Sequence, residues 1–151
     1  MVPVQLAPGS LFANRFVIER LAGSGGMGAV YRARDRYSGE LVALKLLHAA
    51  AGRADEPERF LREAQLLSEL RHPGIVAYVD HGQTPDGHRF LAMEWLDGED
   101  LAQRLARGPL SLGQSLALLG YVSTALAIAH ERGIVHRDLK PSKGTAEGQQ
   151  V

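Results

Sequence analysis

Cysteine is absent from the 151 residues, which excludes disulfide frameworks and thiolate zinc sites and suits a reducing compartment. Neither sign of charge prevails, since Lys plus Arg and Asp plus Glu both number 17. A general attraction to nucleic acid or to an anionic membrane surface is therefore not expected, and any binding of anions must be local. The amino terminus, MVPVQLAPGSLFANRF, has no basic region leading into an apolar run, so no secretory signal is read and cytoplasm is the expected location. No long uninterrupted apolar stretch occurs either. The most apolar segment, Leu112 to His130, is broken by Gln114, Ser115, Ser123 and Thr124, a pattern that predicts a buried helix rather than a membrane span.

What the chain does have is glycine, concentrated in LAGSGGMGAV (21–30), with Gly23, Gly25 and Gly28 in the pattern GxGxxG. Alone the pattern is weak, because dinucleotide folds share it. Those folds need a helix directly after the third glycine, whereas Ala29-Val30-Tyr31 continues here as a strand. The reading is a hairpin flap whose bare N–H groups could lie over phosphates, with an ordinary flexible hairpin as the alternative.

Around the flap, FVIERLA (16–22), AVYRARD (29–35) and LVALKLL (41–47) read as strands in an antiparallel meander. A helical period follows from Asp55, a candidate N-cap with Pro57 in the first turn, and runs to Leu70, where Arg71-His72-Pro73-Gly74 stops it. IVAYVDHG (75–82) and RFLAMEW (89–95) complete five strands around one helix, with Thr84-Pro85-Asp86-Gly87 as the turn between them. After Trp95 the character changes. A short helix is read near 99–107, and Ser111 with Gln114 forms a capping box opening a helix to about Arg132, with Gly133 at its C-terminus. Ile134-Val135 reads as a short strand, His136 to Pro141 as a loop, and SKGTAEGQQV as a polar tail.

Three sets of residues carry chemistry. In LVALKLL, Ala43 and Lys45 share one face and Val42, Leu44 and Leu46 the other. On the following helix Phe60, Ala64, Leu67 and Arg71 form one stripe, and Glu63 sits on it. A carboxylate facing a core needs a cation, so a Lys45–Glu63 pair is expected, while Glu58 and Glu69 look solvated. The third set is His136-Arg137-Asp138-Leu139-Lys140-Pro141, a carboxylate and an ammonium two residues apart. Singly, each has a bland reading: an edge lysine, a solvated helix face, a charged loop.

Together, GxGxxGxV, VALK, a helical Glu and HRDLK stand in the order found in protein kinases. The sequence resembles a serine/threonine protein kinase of the bacterial, eukaryotic-like type, from about Phe16 to Ser142. The resemblance implies an α+β fold: a kinase-like N-lobe (five-stranded antiparallel sheet plus one helix) over 15–95, after an irregular lead-in at 1–14. A hinge and the first helices of an incomplete helical C-lobe would follow over 96–142, then a non-matching tail at 143–151. It also implies that Gly23, Gly25 and Gly28 cover the phosphates of ATP, that Val30 and Ala43 pack on adenine, and that Lys45, oriented by Glu63, holds the α- and β-phosphates. Met93 would be the gatekeeper, with backbone groups of Glu94 and Leu96 bonding the adenine edge. Asp138 would orient and deprotonate a substrate hydroxyl, Lys140 would steady the transferred phosphoryl group, and Arg137 would pair with a phosphorylated activation loop.

The departures concern magnesium. The family places Asn five residues after the catalytic Asp, and this chain has Lys143 there; no Asp-Phe-Gly segment follows. These differences, with agreement ending between Ser142 and Lys143, lead to the expectation of a truncated or frame-shifted product that is inactive alone, whose helix 112–132, apolar all round, exposes a patch that self-associates. The expected function is ATP-dependent phosphorylation of Ser or Thr in a protein substrate. The alternatives are an ATP-binding, pseudokinase-like interaction module and a non-functional fragment.

Overall fold

A computed structural model of the chain describes residues 5–25, 28–47, 56–135 and 139, of which 25, 56–59 and 63 are described by their backbone alone. The element order is β1 (Leu11–Phe12), β2 (Phe16–Gly25), β3 (Gly28–Asp35), β4 (Leu41–Leu47), α1 (Glu56–Glu69), β5 (Tyr78–Gln83), β6 (Arg89–Glu94), α2 (Leu101–Ala106) and α3 (Leu112–Glu131). The chain divides into two compact units. The first comprises residues 1–68 and 78–95, the second residues 69–77 and 96–151.

The first unit is built on one antiparallel sheet in the order β1-β2-β3-β4-β6-β5. It has six strands where five were expected, because Leu11–Phe12 in the supposed lead-in pairs with Val17 and Phe16. The turn that makes this possible uses Ala13 and Asn14 at φ of 50° and 56°, closed by the Arg15 N–H donating to the Phe12 carbonyl at 3.0 Å. No glycine marks it. At the other end of the sheet, β5 begins at Tyr78 rather than at Ile75.

Side-chain alternation decides which face is core. Ala29, Tyr31 and Ala33 of β3, Val42, Leu44 and Leu46 of β4, and Phe90 and Ala92 of β6 are all buried in one cluster with Phe12, Phe16 and Ile18. The Phe90 ring meets Phe12 and Phe16 edge-on at centroid distances of 5.3 and 5.8 Å, a favoured aromatic geometry. Burying a side chain of this size contributes about 1.5–3 kcal/mol, so β1, short as it is, adds a real share through Phe12.

One rim of the sheet is tied by Arg15. Its Nε and Nη2 donate to the two oxygens of Asp35 at 2.8 and 2.7 Å, and its Nη1 donates to Asp80 at 2.7 Å. The guanidinium also lies over the rings of Phe16 and Tyr37, at 5.1 and 4.8 Å. Asp35 is buried, and it further accepts from the Tyr37 N–H and the Ser38 hydroxyl. Hydrogen bonding from Arg15, reinforced by Tyr37 and by the charge of Arg15 against the opposing effect of burial, lowers the Asp35 carboxyl to about 2.

In the second unit both helices start as the sequence indicates. Asp100 and Ser111 are N-caps, each in a reciprocal capping box with a glutamine three residues on. At the end of α3, Gly133 at φ 75° lets its N–H bond the His130 carbonyl at 2.9 Å and the Ile134 N–H bond the Ala129 carbonyl at 3.0 Å. This is the doubly bonded helix stop that glycine permits. It draws Ile134 into the helix end, and Ile134-Val135 is not a strand. Of the residues in α3 only Ala125 is buried; Leu112, Leu116 and Leu119, one face at helical spacing, are 76%, 60% and 62% exposed. Among the described residues α3 is the one helix long and apolar enough to cross a membrane by length and composition alone. Its described neighbours in this unit are few: the Tyr121 ring lies 6.0 Å from the His72 ring, and Arg132 Nη1 donates to the Glu69 carbonyl at 2.8 Å.

Candidate functional site

The sheet face opposite the core carries the residues singled out from the sequence. Direct cross-strand partners share a face, and the register aligns two rows. One is Val30, Lys45, Leu91 and His81; the other is Arg32, Ala43, Met93 and Tyr78. Ala43 and Met93 are buried, and Val30 and Lys45 are half-buried. The Lys45 stem thus stands on an apolar strand next to a small, buried alanine.

At the β5 end of this face the Tyr78 hydroxyl and His81 Nδ1 are 2.5 Å apart, and the Phe60 ring of α1 meets the His81 ring edge-on at 6.2 Å. Burial pushes the Tyr78 hydroxyl up. Phe60 fixes α1 on the Lys45 side of the sheet, and Glu63 follows it by one helical turn in the backbone. The Glu63 side chain, and with it the proposed pair, lies outside the described residues. Ala64 is buried as expected, whereas Arg71 falls beyond the end of α1 and is exposed.

The flap joins β2 to β3. Gly25 and Gly28 are register partners, and β3 begins at Gly28 with no helix after it, which rules out the dinucleotide-type turn. Its glycines are needed for different reasons. At Gly28, φ is 144° and an added Cβ would sit 1.9 Å from the Leu46 carbonyl oxygen, so the fold itself demands glycine. At Gly23 nothing lies within 4 Å of an added Cβ, so the fold makes no such demand.

Glu94 lies at the end of β6, paired with Val42, and Leu96 is the first residue of the second unit's longer segment. Asp55, the candidate N-cap, and Arg137, Asp138, Lys140 and Lys143 lie outside the described residues. Among those described, no group of three or more His, Cys, Asp or Glu could hold a metal ion.

Two features escaped the sequence reading. The Arg15 hub joins residues 20 and 65 positions apart, and no local pattern announces it. The other lies on the same face as Lys45: the guanidinium groups of Arg20 and Arg32 stand 5.4 and 5.6 Å from the Trp95 ring. The alternation Arg32-Ala33-Arg34 was a usable signal, since it puts two arginines on one side of β3.

Comparison with known proteins matches residues 16–143 to the model of the protein kinase domain. The chain belongs to the protein kinase family. It is 46% identical to serine/threonine-protein kinase pkn2 of Myxococcus xanthus over 97% of its own length and 18% of that protein's. It is 40% identical to serine/threonine-protein kinase PknJ of Mycobacterium tuberculosis over 91% of its own length and 23% of that protein's. A crystal structure of the Mycobacterium tuberculosis PknI kinase domain superposes with a TM-score of 0.82 at 35% identity, covering 97% of this chain and 59% of that one. The chain therefore spans about a fifth of the curated relatives' length and three fifths of a solved kinase domain. These relatives are named serine/threonine-protein kinases, so the family is one of phosphoryl transferases.

Proposed function

We propose that this chain supplies the nucleotide-binding part of a serine/threonine protein kinase and binds ATP against the Val30–Lys45–Ala43–Met93 face. The observation that carries this reading is the register that sets Lys45 directly beside Val30 and two residues from buried Ala43. An apolar floor can take a purine ring. The adjoining ammonium can take the α- and β-phosphates, and the N–H groups of the strand ends at Gly23, Gly25 and Gly28 can cover them without side chains in the way. Glu63 would hold Lys45 in place, and the backbone of Glu94 and Leu96 would bond the purine edge.

Within this reading Asp138 takes the proton of a Ser or Thr hydroxyl as its oxygen bonds the γ-phosphorus and the bond from that phosphorus to the bridging oxygen breaks, releasing ADP, while Lys140 balances charge on the phosphoryl oxygens. The family's magnesium is not assigned ligands here. Lys143 stands at the position of the ligating Asn, a cation does not ligate a cation, and the described residues offer no acidic cluster. The chain is accordingly proposed to bind nucleotide, in the cytoplasm, without turning it over unaided. Incubation with ATP, magnesium and a serine-rich protein should show nucleotide-dependent stabilisation but no phosphate transfer; transfer at the roughly 1–100 s⁻¹ of kinases would contradict the second half.

A second reading, an interaction module, is favoured by the exposed row Leu112, Leu116 and Leu119. Apolar rows of this kind drive association, and self-association through α3 is the proposed consequence.

A further inference from the structure

We propose that the β2–β3 part of the face that carries Lys45 is a docking site for a phosphorylated serine or threonine segment, formed by Arg20 and Arg32 over the Trp95 ring with Arg34 two residues along β3 from Arg32. Arg20 and Arg32 are direct cross-strand partners, an arrangement in which like charges repel and weaken the sheet. A fold that keeps such a pair is departing from local consistency, and departures of this kind concentrate at functional positions. Both guanidinium groups are instead held over the Trp95 ring, at 5.4 and 5.6 Å. Cation–π contact uses the flat face of a guanidinium and leaves its N–H edge free for an anion.

Among the described ion pairs, Arg32 and Arg34 share one carboxylate. Glu19 accepts from Arg34 Nη2 at 3.0 Å, and its other oxygen lies 3.1 Å from Arg32 Nε. That second approach lacks the alignment of a hydrogen bond, and the buried Arg32 Nε has no hydrogen-bond partner. Arg20, Arg32, Arg34 and Glu19 together carry a formal excess of two positive charges in a chain whose formal net charge is zero, although Arg34 Nη1 already donates to the Gly39 carbonyl at 2.9 Å. A phosphomonoester carries about −1.5 to −2 at neutral pH and offers three acceptor oxygens, which matches the excess and suits the forked donors of arginine. The patch adjoins the nucleotide face, Arg32 being the cross-strand partner of Ala43, but Arg20 and Arg34 lie outside the set of residues assigned to the nucleotide. That the phosphate is borne by serine or threonine rests on membership of the kinase family, whose relatives named serine/threonine-protein kinases generate that group.

The test is fluorescence anisotropy of the whole chain with a labelled phosphoserine peptide, the same peptide unphosphorylated, and a single-stranded oligonucleotide. An Arg20→Gln/Arg34→Gln double variant is compared in parallel, its melting curve checking that the sheet is intact. The phosphopeptide is expected to bind at least about tenfold more tightly than its unphosphorylated form, and the variant to lose about tenfold in affinity, as for removal of charge-assisted hydrogen bonds. Equal binding of the two peptides, preference for the oligonucleotide, or unchanged affinity in the variant would each overturn the proposal. ATP-induced stabilisation read on the same samples separates the two claims: its presence without phosphopeptide preference removes the docking site alone, and its absence with that preference retained removes the nucleotide reading alone.

Discussion

Val30 and Lys45 are direct partners across the β3–β4 ladder, so an apolar contact and an ammonium stand side by side on the face opposite the core. In the proposed nucleotide complex, Val30 would set the height of the purine over the sheet and the Lys45 ammonium would set the position of the phosphates.

The two flap glycines give a prediction that separates folding from binding. Gly28→Ala forces a Cβ onto the Leu46 carbonyl at a strained φ and is expected to lower stability by more than about 2 kcal/mol. Gly23→Ala meets no neighbour, so its melting temperature should hold or rise slightly, as glycine in a strand is costly by about 0.5–1 kcal/mol. If Gly23 is bare to let phosphate approach, its alanine variant should nevertheless bind ATP more weakly. Thermal melts with and without ATP check both.

Acid should loosen the Arg15 rim. Asp35 is held at about 2, below the ordinary value of 3.8, so its folded form prefers the carboxylate. The stabilisation is complete above about pH 4 and is lost as pH falls toward 2, an effect on the order of 2 kcal/mol. Denaturant melts from pH 7 to pH 2.5 should show this fall. Asp35→Asn should be less stable at pH 7 and show a smaller decline on acidification.

Exposure of α3 leads to a concentration-dependent expectation. Sedimentation of the native chain should reveal association, and Leu116→Glu with Leu119→Glu should shift it toward monomer, since both side chains face water in the isolated chain. A monodisperse monomer that fails to bind ANS would contradict the self-association reading.

Much of this was legible in the residues, for physical reasons that differ by element. In LVALKLL strict alternation told the core face from the face that carries Lys45, because period two is a property of the strand itself. The capping box at Ser111 and Gln114 was legible because its two bonds are local. Strand β1 was not: it has two residues, and its turn uses Ala13 and Asn14 where glycine would have been the signal. Arg15 gave no signal, because its partners Asp35 and Asp80 are 20 and 65 positions away. Ile134-Val135 showed β-branched character, but the hydrogen bonds of the helix stop claimed Ile134 first.

The nucleotide reading is tested most directly by titrating ATP into the native chain and into Lys45→Met in a calorimeter. Loss of a charge-assisted contact of about 1.5–3 kcal/mol should weaken binding by about 10- to 100-fold. Equal affinity in the two proteins, or no heat of binding in the native chain, would contradict the assignment.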